Sequence, residues 1–399
     1  MREFSRRQLL GGLGTAAVGV GGYWWFEENR CLDRREPYWT FDGERWSRPV
    51  VGEYAVYAAE NHGATSGDML ARVVSLRGFD GGPNWVFTVT GGGAGVPLVA
   101  DGSVYFGTGA DYVYALDQRT GRVEWQYDAG GRESYGGGAW GQPAKTDGRL
   151  LVGISHSEEA DVDPNSDAFT HRVVALDAET GDEDWATEVD GMVWTGPKVV
   201  GDTVVAGTEA GSVYGLAVED GRRRWRTAVG ERIWQDAFAD ESAVHVASDD
   251  GNVAALAPDS GAERWTASIS GTVSATERDA ETFFVGTDRG AFVAFSRSSG
   301  DERWRIAGEQ DGDAEDAPGI ADAASNGSLV YVFDQRGYVR AFDAASGERR
   351  DRFRVAEKTW EDQCGWYPRY RRGSGLLLDG DGLLVSGPWV KSVDRHREA

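Results

Sequence analysis

The chain has 399 residues, 40% of them hydrophobic and 27% charged, so it can bury a sizeable core. Its 65 acidic residues against 41 basic ones leave a formal charge of −24, which excludes nucleic-acid binding through a general basic surface. With 56 glycines and 16 tryptophans but three methionines, it calls for short aromatic strands between tight turns and excludes a helical bundle.

The basic residues are skewed. Of the 41, only Lys145, Lys198, Lys358 and Lys391 are lysines, which leaves 37 arginines. Few lysines, with Asp and Glu along the whole chain, suit a surface solvated in concentrated salt, where screening removes self-repulsion. A halophilic protein is expected, with an ordinary acidic secreted protein as the alternative.

At the N-terminus, Arg2, Arg6 and Arg7 precede an uncharged, glycine-rich apolar run from Leu9 to Phe26. Ser5-Arg6-Arg7-Gln8-Leu9-Leu10 resembles a twin-arginine (Tat) export signal, with Leu9 where Phe is commoner. Tyr23-Trp24-Trp25-Phe26 is bulky and interfacial, so no small-residue cleavage site is clear after Gly22. The run is just long enough to cross a hydrocarbon core of ~30 Å. An uncleaved anchor and a removed signal both remain open, over 1–37 with its linker; 38–395 is read as one folded unit.

A repeat organises that unit. Val113 to Trp125 (Val-Tyr-Ala-Leu-Asp-Gln-Arg-Thr-Gly-Arg-Val-Glu-Trp) aligns with Val173 to Trp185, and weaker copies end at Trp225, Trp265 and Trp304. A glycine stands four residues before each: Gly121, Gly181, Gly221, Gly261 and Gly300. An earlier copy has Gly81 before Trp85, and a late one has Gly347 before Asp351, its aromatic lost. The Trp-to-Trp steps from Trp85 are 40, 60, 40, 40 and 39 residues. Each unit reads as four short strands between Gly, Asp and Ser turns, the size of a propeller blade. In Ala-x-Asp-x-x-Thr-Gly-x-x-x-Trp, the Asp side chain can cap the turn amides, Gly takes the left-handed position, and Trp packs on the neighbouring blade.

Ala115 to Trp125 and Ala175 to Trp185 resemble the tryptophan-docking motif of the PQQ-repeat propellers. That group includes quinoprotein alcohol dehydrogenases and non-enzymatic BamB-type scaffold proteins. Degenerate copies extend the resemblance from about residue 48 to residue 355. It implies an all-β, eight- or seven-bladed propeller of four-stranded antiparallel blades. Seven C–D hairpins are visible, and Gly375 to Val393 supplies three further strands. Tyr38-Trp39-Thr40-Phe41-Asp42-Gly43 mimics the outer strand Trp125-Gln-Tyr-Asp-Ala-Gly. It is therefore placed as the outer strand of the last blade, which favours eight.

The enzymatic branch of the family binds pyrroloquinoline quinone over the central funnel, commonly with Ca²⁺ and often with adjacent cysteines. This chain has two cysteines, Cys31 and Cys364, and lacks long inter-strand insertions. No catalytic or cofactor-binding residue is assigned, and no cofactor is expected. The five histidines show no zinc spacing, and no Gly-x-Ser-x-Gly elbow occurs.

Three features carry site expectations. Trp140, Trp194, Trp234 and Trp366 each follow an outer strand, with Pro143, Pro197 and Pro368 close behind three of them. They are read as an aromatic rim at the channel, able to stack on a sugar, a quinone or a peptide side chain, or else as packing under loops. Next, the blade with the 60-residue step carries an insertion between His156 and His171. In it Asp161, Asp163, Asn165 and Asp167 have the alternate spacing of a calcium loop, although Ser166 and Arg172 replace the usual Gly and Glu. Calcium and a solvated acidic hairpin are the two readings. Finally, Cys31 precedes the closing strand and Cys364 precedes the same blade's first strand, so a disulfide could lock the ring; two unrelated cysteines are the alternative. Lipidation of Cys31 is not expected after Glu28-Asn29-Arg30.

The function expected is that of an exported, extracytoplasmic, monomeric scaffold with protein partners at the outer membrane face. It contacts the membrane through its N-terminus. A quinone-dependent oxidoreductase and a glycan-binding propeller are the alternatives.

Overall fold

The computed structural model describes residues 39–42, 46–62, 70–90, 92–130, 137–157, 168–306, 318–355, 376–379, 382–386 and 389–394. The chain divides into two units, 1–34 and 35–399, and every described residue belongs to the second. Among the described residues there is no helix, and eight antiparallel sheets of four strands each account for all the named strands.

Blade 1 runs from Val50–Val51 to Pro83–Thr90, blade 2 from Leu98–Ala100 to Val123–Asp128, and blade 3 from Ala144–Thr146 to Glu183–Val189. Blade 4 runs from Lys198–Val200 to Arg223–Ala228, blade 5 from Phe238–Ala239 to Glu263–Ser268, blade 6 from Val273–Arg278 to Glu302–Ile306, and blade 7 from Ile320–Ser325 to Arg349–Arg354. Blade 8 is built from both chain ends: Leu376–Asp379, Gly382–Ser386 and Trp389–Asp394 are completed by Trp39–Asp42. Thr40 pairs with Lys391 and Phe41 with Val390, so the N-terminal strand closes the ring as its sequence implied. The count is eight, not the alternative of seven.

Eight apolar clusters fill the joints between consecutive sheets. The closing joint sets Leu384, with Phe41 and Leu377, against Trp46, Val56, Ala58, Val74 and Leu76. The middle strands of a blade are buried on both faces and read as apolar runs, such as Thr203–Gly207 and Ser212–Ala217, buried throughout. Outer strands alternate, as in Arg223–Ala228, where Trp225 alone is buried. That difference explains why the outer strand is the legible part of each repeat.

The tryptophan motif works between blades. Trp125 Nε1 donates to Ala178 O at 3.0 Å, Trp185 to Val218 O at 3.0 Å, Trp225 to Pro258 O at 2.9 Å and Trp304 to Ala344 O at 2.9 Å. Each acceptor lies in the C–D turn of the next blade. There the turn glycine has positive φ, 68° at Gly121 and 78° at Gly181, and the incoming indole lies against its bare Cα. A Cβ at Gly121 would stand 2.6 Å from Trp85, and one at Gly181 2.6 Å from Trp125. Glycine thus serves twice, for its backbone and for the space it leaves. Asp117 Oδ1 accepts from the Thr120 amide at 2.8 Å, and Asp177 Oδ1 from the amides of Glu179 and Thr180 at 2.9 Å. Burying an indole removes roughly 200 Å² from water, about 5 kcal/mol as an upper bound, so the repeated Trp is a principal apolar fastener.

One expectation needs correction. The extra length of blade 3 is not a single insertion between His156 and His171. Part of it lengthens Arg149–His156 and Thr170–Asp177 to eight residues each, against five and six in the matching strands of blade 4. Another part lies in the linker at 129–143, where blade 4 needs only 190–197. Asp161, Asp163, Asn165 and Asp167 fall outside the described residues, as do Trp366, Cys31 and Cys364.

Candidate functional site

Strand direction alternates within a blade, so the D–A linkers and B–C loops share one end of the ring, and the A–B and C–D turns share the other. The three described tryptophans of the expected rim lie in D–A linkers, at the linker end of the ring. They also touch one another. Trp140 and Trp194 stack with ring centroids 6.2 Å apart, and Trp194 and Trp234 at 5.5 Å. Arg232 extends the row, its guanidinium 5.2 Å from the Trp234 ring.

Local sequence explains the arrangement. Trp140-Gly-Gln-Pro143 and Trp194-Thr-Gly-Pro197 each set an indole three residues before a proline that starts the descent into the inner strand. Gly141 and Gly196 let the two linkers pack backbone to backbone, and Gly196 has φ +74°. Gly93 and Gly109 of blade 2 leave the slot on which the Trp140 ring rests. The indoles are half-buried and directionally fixed: Trp140 Nε1 donates to Gly137 O at 2.7 Å, and Trp194 Nε1 to the Glu209 carboxylate at 3.0 Å. Trp194 has a ring on each side, Trp234 has a ring and a guanidinium, and Trp140 has a ring and the blade 2 backbone. The result is a rigid ridge that offers ring edges more than open ring faces.

The ring also holds a charge cluster that sequence reasoning missed. Arg48 precedes the inner strand of blade 1 and reaches across the ring. Its Nε donates to Leu376 O of blade 8 at 3.2 Å and its Nη2 to Ala323 O of blade 7 at 3.0 Å. It forms ion pairs with Asp322 at 3.3 Å, Glu277 at 3.7 Å and Asp236 at 3.9 Å, and Lys198 meets Asp236 from the other side at 3.0 Å. Arg48 is enclosed by protein yet keeps 28% of its side-chain surface open to the channel. Its charge is reinforced chiefly by Asp322. Burial pushes Glu277 up to about 7 despite Arg48, and burial also raises Asp322. The missed signal lay in register: Trp46-Ser-Arg-Pro49 repeats the spacing of Trp140 to Pro143, and Asp236 holds the same place after Trp234. Trp46 itself is buried in the closing joint against Phe41, not on the rim.

Two histidines of blade 3 find partners at the same end. His156 Nδ1 lies 2.8 Å from the fully buried Asp111, which has φ +62° and whose carboxyl burial raises. His171 Nδ1 lies 2.7 Å from Ser155 Oγ. His245 is a core residue, its Nε2 3.0 Å from Arg297 O, and burial lowers it to about 4.

Eight four-stranded blades, with blades 1 to 6 each pinned to the next by an indole on a turn glycine, define a PQQ-repeat propeller. The family model described as "Outer membrane protein assembly factor BamB" matches residues 30–167, 136–233 and 226–364, and the chain belongs to this family. Among solved structures, BamB from Moraxella catarrhalis is similar at 17% identity and a TM-score of 0.62, over 88% of this chain and 96% of that one. A quinohemoprotein alcohol dehydrogenase, ADHIIG from Pseudomonas putida HK5, is similar at 13% identity and a TM-score of 0.65, over 88% of this chain and 72% of that one. The computationally designed protein Ika8 is similar at 13% identity and a TM-score of 0.68, over 90% of this chain and 99% of that one. Likeness to BamB, an alcohol dehydrogenase and a designed protein shows the fold and leaves activity to the site. Comparison with curated proteins finds no match.

Proposed function

We propose that the protein is an exported, extracytoplasmic scaffold without enzymatic activity, which engages a protein partner through the tryptophan ridge at the channel mouth. The observation that carries this reading is the ridge itself: three indoles locked by mutual stacking, half-exposed, with Arg232 and Glu209 beside them. Rigid aromatic edges flanked by charge suit protein recognition, since little side-chain entropy is lost on binding. A sugar needs an open ring face for stacking, and here the faces are taken by neighbouring groups.

The carboxylates Asp236, Glu277 and Asp322 converge on Arg48, which competes with a cation for them, and this supports a reading without a calcium-bound quinone. The family's BamB member and the Tat-like N-terminal sequence both support export, and the Tat route and anchoring belong to the same proposal.

The test is isolation of the full-length protein from the membrane fraction in molar KCl, in parallel with Trp194→Ala. Loss of the half-buried Trp194 ring should lower stability by about 2–4 kcal/mol, and a thermal melt of the variant checks that it stays folded. A protein retained by the parent and lost by the variant supports the reading. Identical sets of retained proteins would overturn it.

A further inference from the structure

Among the described residues, the large exposed hydrophobic side chains are confined to one sector of the ring. They are Val51, Tyr54, Leu70, Phe79, Val86 and Val123, and all belong to blade 1 or blade 2. Tyr54 sits in the A–B turn of blade 1 and Phe79 in its C–D turn, 61% and 80% exposed. Val51 ends the inner strand beside Tyr54, and Val123 begins the outer strand of blade 2. These four share the turn end of the ring, opposite the tryptophan ridge.

The turn chemistry does not require an aromatic there. Two residues before the turn glycine, where blade 1 has Phe79, the following blades have Arg119, Glu179, Glu219, Asp259, Ser298 and Ala345. Each exposed ring also carries a guanidinium, Arg77 at 5.7 Å from Phe79 and Arg119 at 5.9 Å from Tyr54. Arg77 is paired with Asp80 at 2.9 Å and Tyr54 hydrogen-bonds to Glu53, so the tip carries little net charge, and its exposed rings match the apolar boundary of a bilayer headgroup layer.

The chain reaches the ring at this end. Trp39–Asp42 runs antiparallel to Trp389–Asp394, which puts Trp39 at the turn end of blade 8, the neighbour of blade 1. Upstream, residues 27–38 separate Trp39 from the apolar run 9–26.

We infer that the turn end of blade 1, with Tyr54 and Phe79 at its tip, is a lipid-bilayer contact surface that orients the propeller with its tryptophan ridge away from the membrane. This goes beyond the scaffold reading and takes from the anchor reading only the tether. Two rings hold a bilayer weakly alone, and a tether supplies the effective concentration that makes the contact persistent. The net charge of −24 opposes approach to anionic lipid, and molar salt shortens that repulsion to a few ångströms.

The test reconstitutes the full-length chain in phosphatidylcholine–phosphatidylglycerol vesicles that contain a phospholipid with a photoactivatable headgroup, in molar KCl, and maps the labelled peptides. Labelling of the turns at 52–55 and 77–82 should exceed that of the blade 5 turns at 240–243 and 257–261 by about five-fold or more, as expected for surface contact under tethering. It should fall to the blade 5 level in Tyr54→Ser/Phe79→Ser, whose melting midpoint stays that of the parent because both rings are exposed. Label confined to 9–26 would overturn the surface and leave the anchor standing. Label on blade 1 without label on 9–26 would support the surface and remove the anchor. Equal labelling of all turns, label unchanged in the double variant, or cross-links from blade 1 to a co-isolated protein in place of lipid would each overturn the proposal.

Discussion

Two glycines of blade 3 separate the roles that a turn glycine can have. Gly148, in the A–B turn, has φ +77° with nothing within 4 Å of its missing Cβ, while Gly181, in the C–D turn, has φ +78° with the Trp125 ring 2.6 Å away. Gly148→Ala should cost about 1 kcal/mol, the left-handed penalty alone, and Gly181→Ala about 3 kcal/mol or more, because Trp125 must also move. Denaturant melts of both variants in the same salt check this, and equal losses would contradict the docking account. Glu277 offers a test by pH. Below its ordinary value of 4.5 it is protonated in the folded and unfolded chain alike; from there to about 7 the unfolded chain ionises more readily, so its contribution to stability falls as pH rises. Glu277→Gln should flatten that slope and raise the midpoint at pH 8. A midpoint at pH 8 that drops in the variant would show that the attraction to Arg48 outweighs burial.

At the scale of the blade, Phe41 on the closing strand meets Trp46 at 5.5 Å, edge to face, across the joint between blades 8 and 1. Phe41→Ala should lower stability by about 2 kcal/mol and speed hydrogen exchange in blades 8 and 1 ahead of blade 4. Uniform exchange would mean that closure is held elsewhere. The closing strand was legible because Trp39-Thr-Phe-Asp copies an outer strand, and outer strands carry the alternation that survives in sequence. So were the docking glycines, and the linker position of Trp140, Trp194 and Trp234. The stacking of Trp140, Trp194 and Trp234 was not, since it depends on how far each linker carries its ring toward the next blade. Nor was the gathering of Arg48, Asp236, Glu277 and Asp322, which lie on four blades and meet only when the ring closes. The division of the blade 3 insertion was hidden as well, because strand lengthening and linker lengthening look alike in a repeat count.

For the molecule as a whole, the charge of −24 is the strongest global property. If it reflects adaptation to concentrated salt, repulsion should loosen the ring once salt falls below about 0.5 M, where screening lengths grow past several ångströms. A thermal midpoint that climbs with KCl into the molar range is expected, and one that stays flat would contradict the halophile proposal. The fold accommodates BamB and quinone enzymes alike, so the proposed scaffold role rests on the site, where Arg48 pairs with three carboxylates. The most direct measurement is the absorption spectrum of the purified full-length protein after incubation with pyrroloquinoline quinone and Ca²⁺ and removal of unbound quinone. The scaffold account predicts no retained chromophore and no dye-linked alcohol oxidation; a stoichiometric bound quinone that supports oxidation would contradict it.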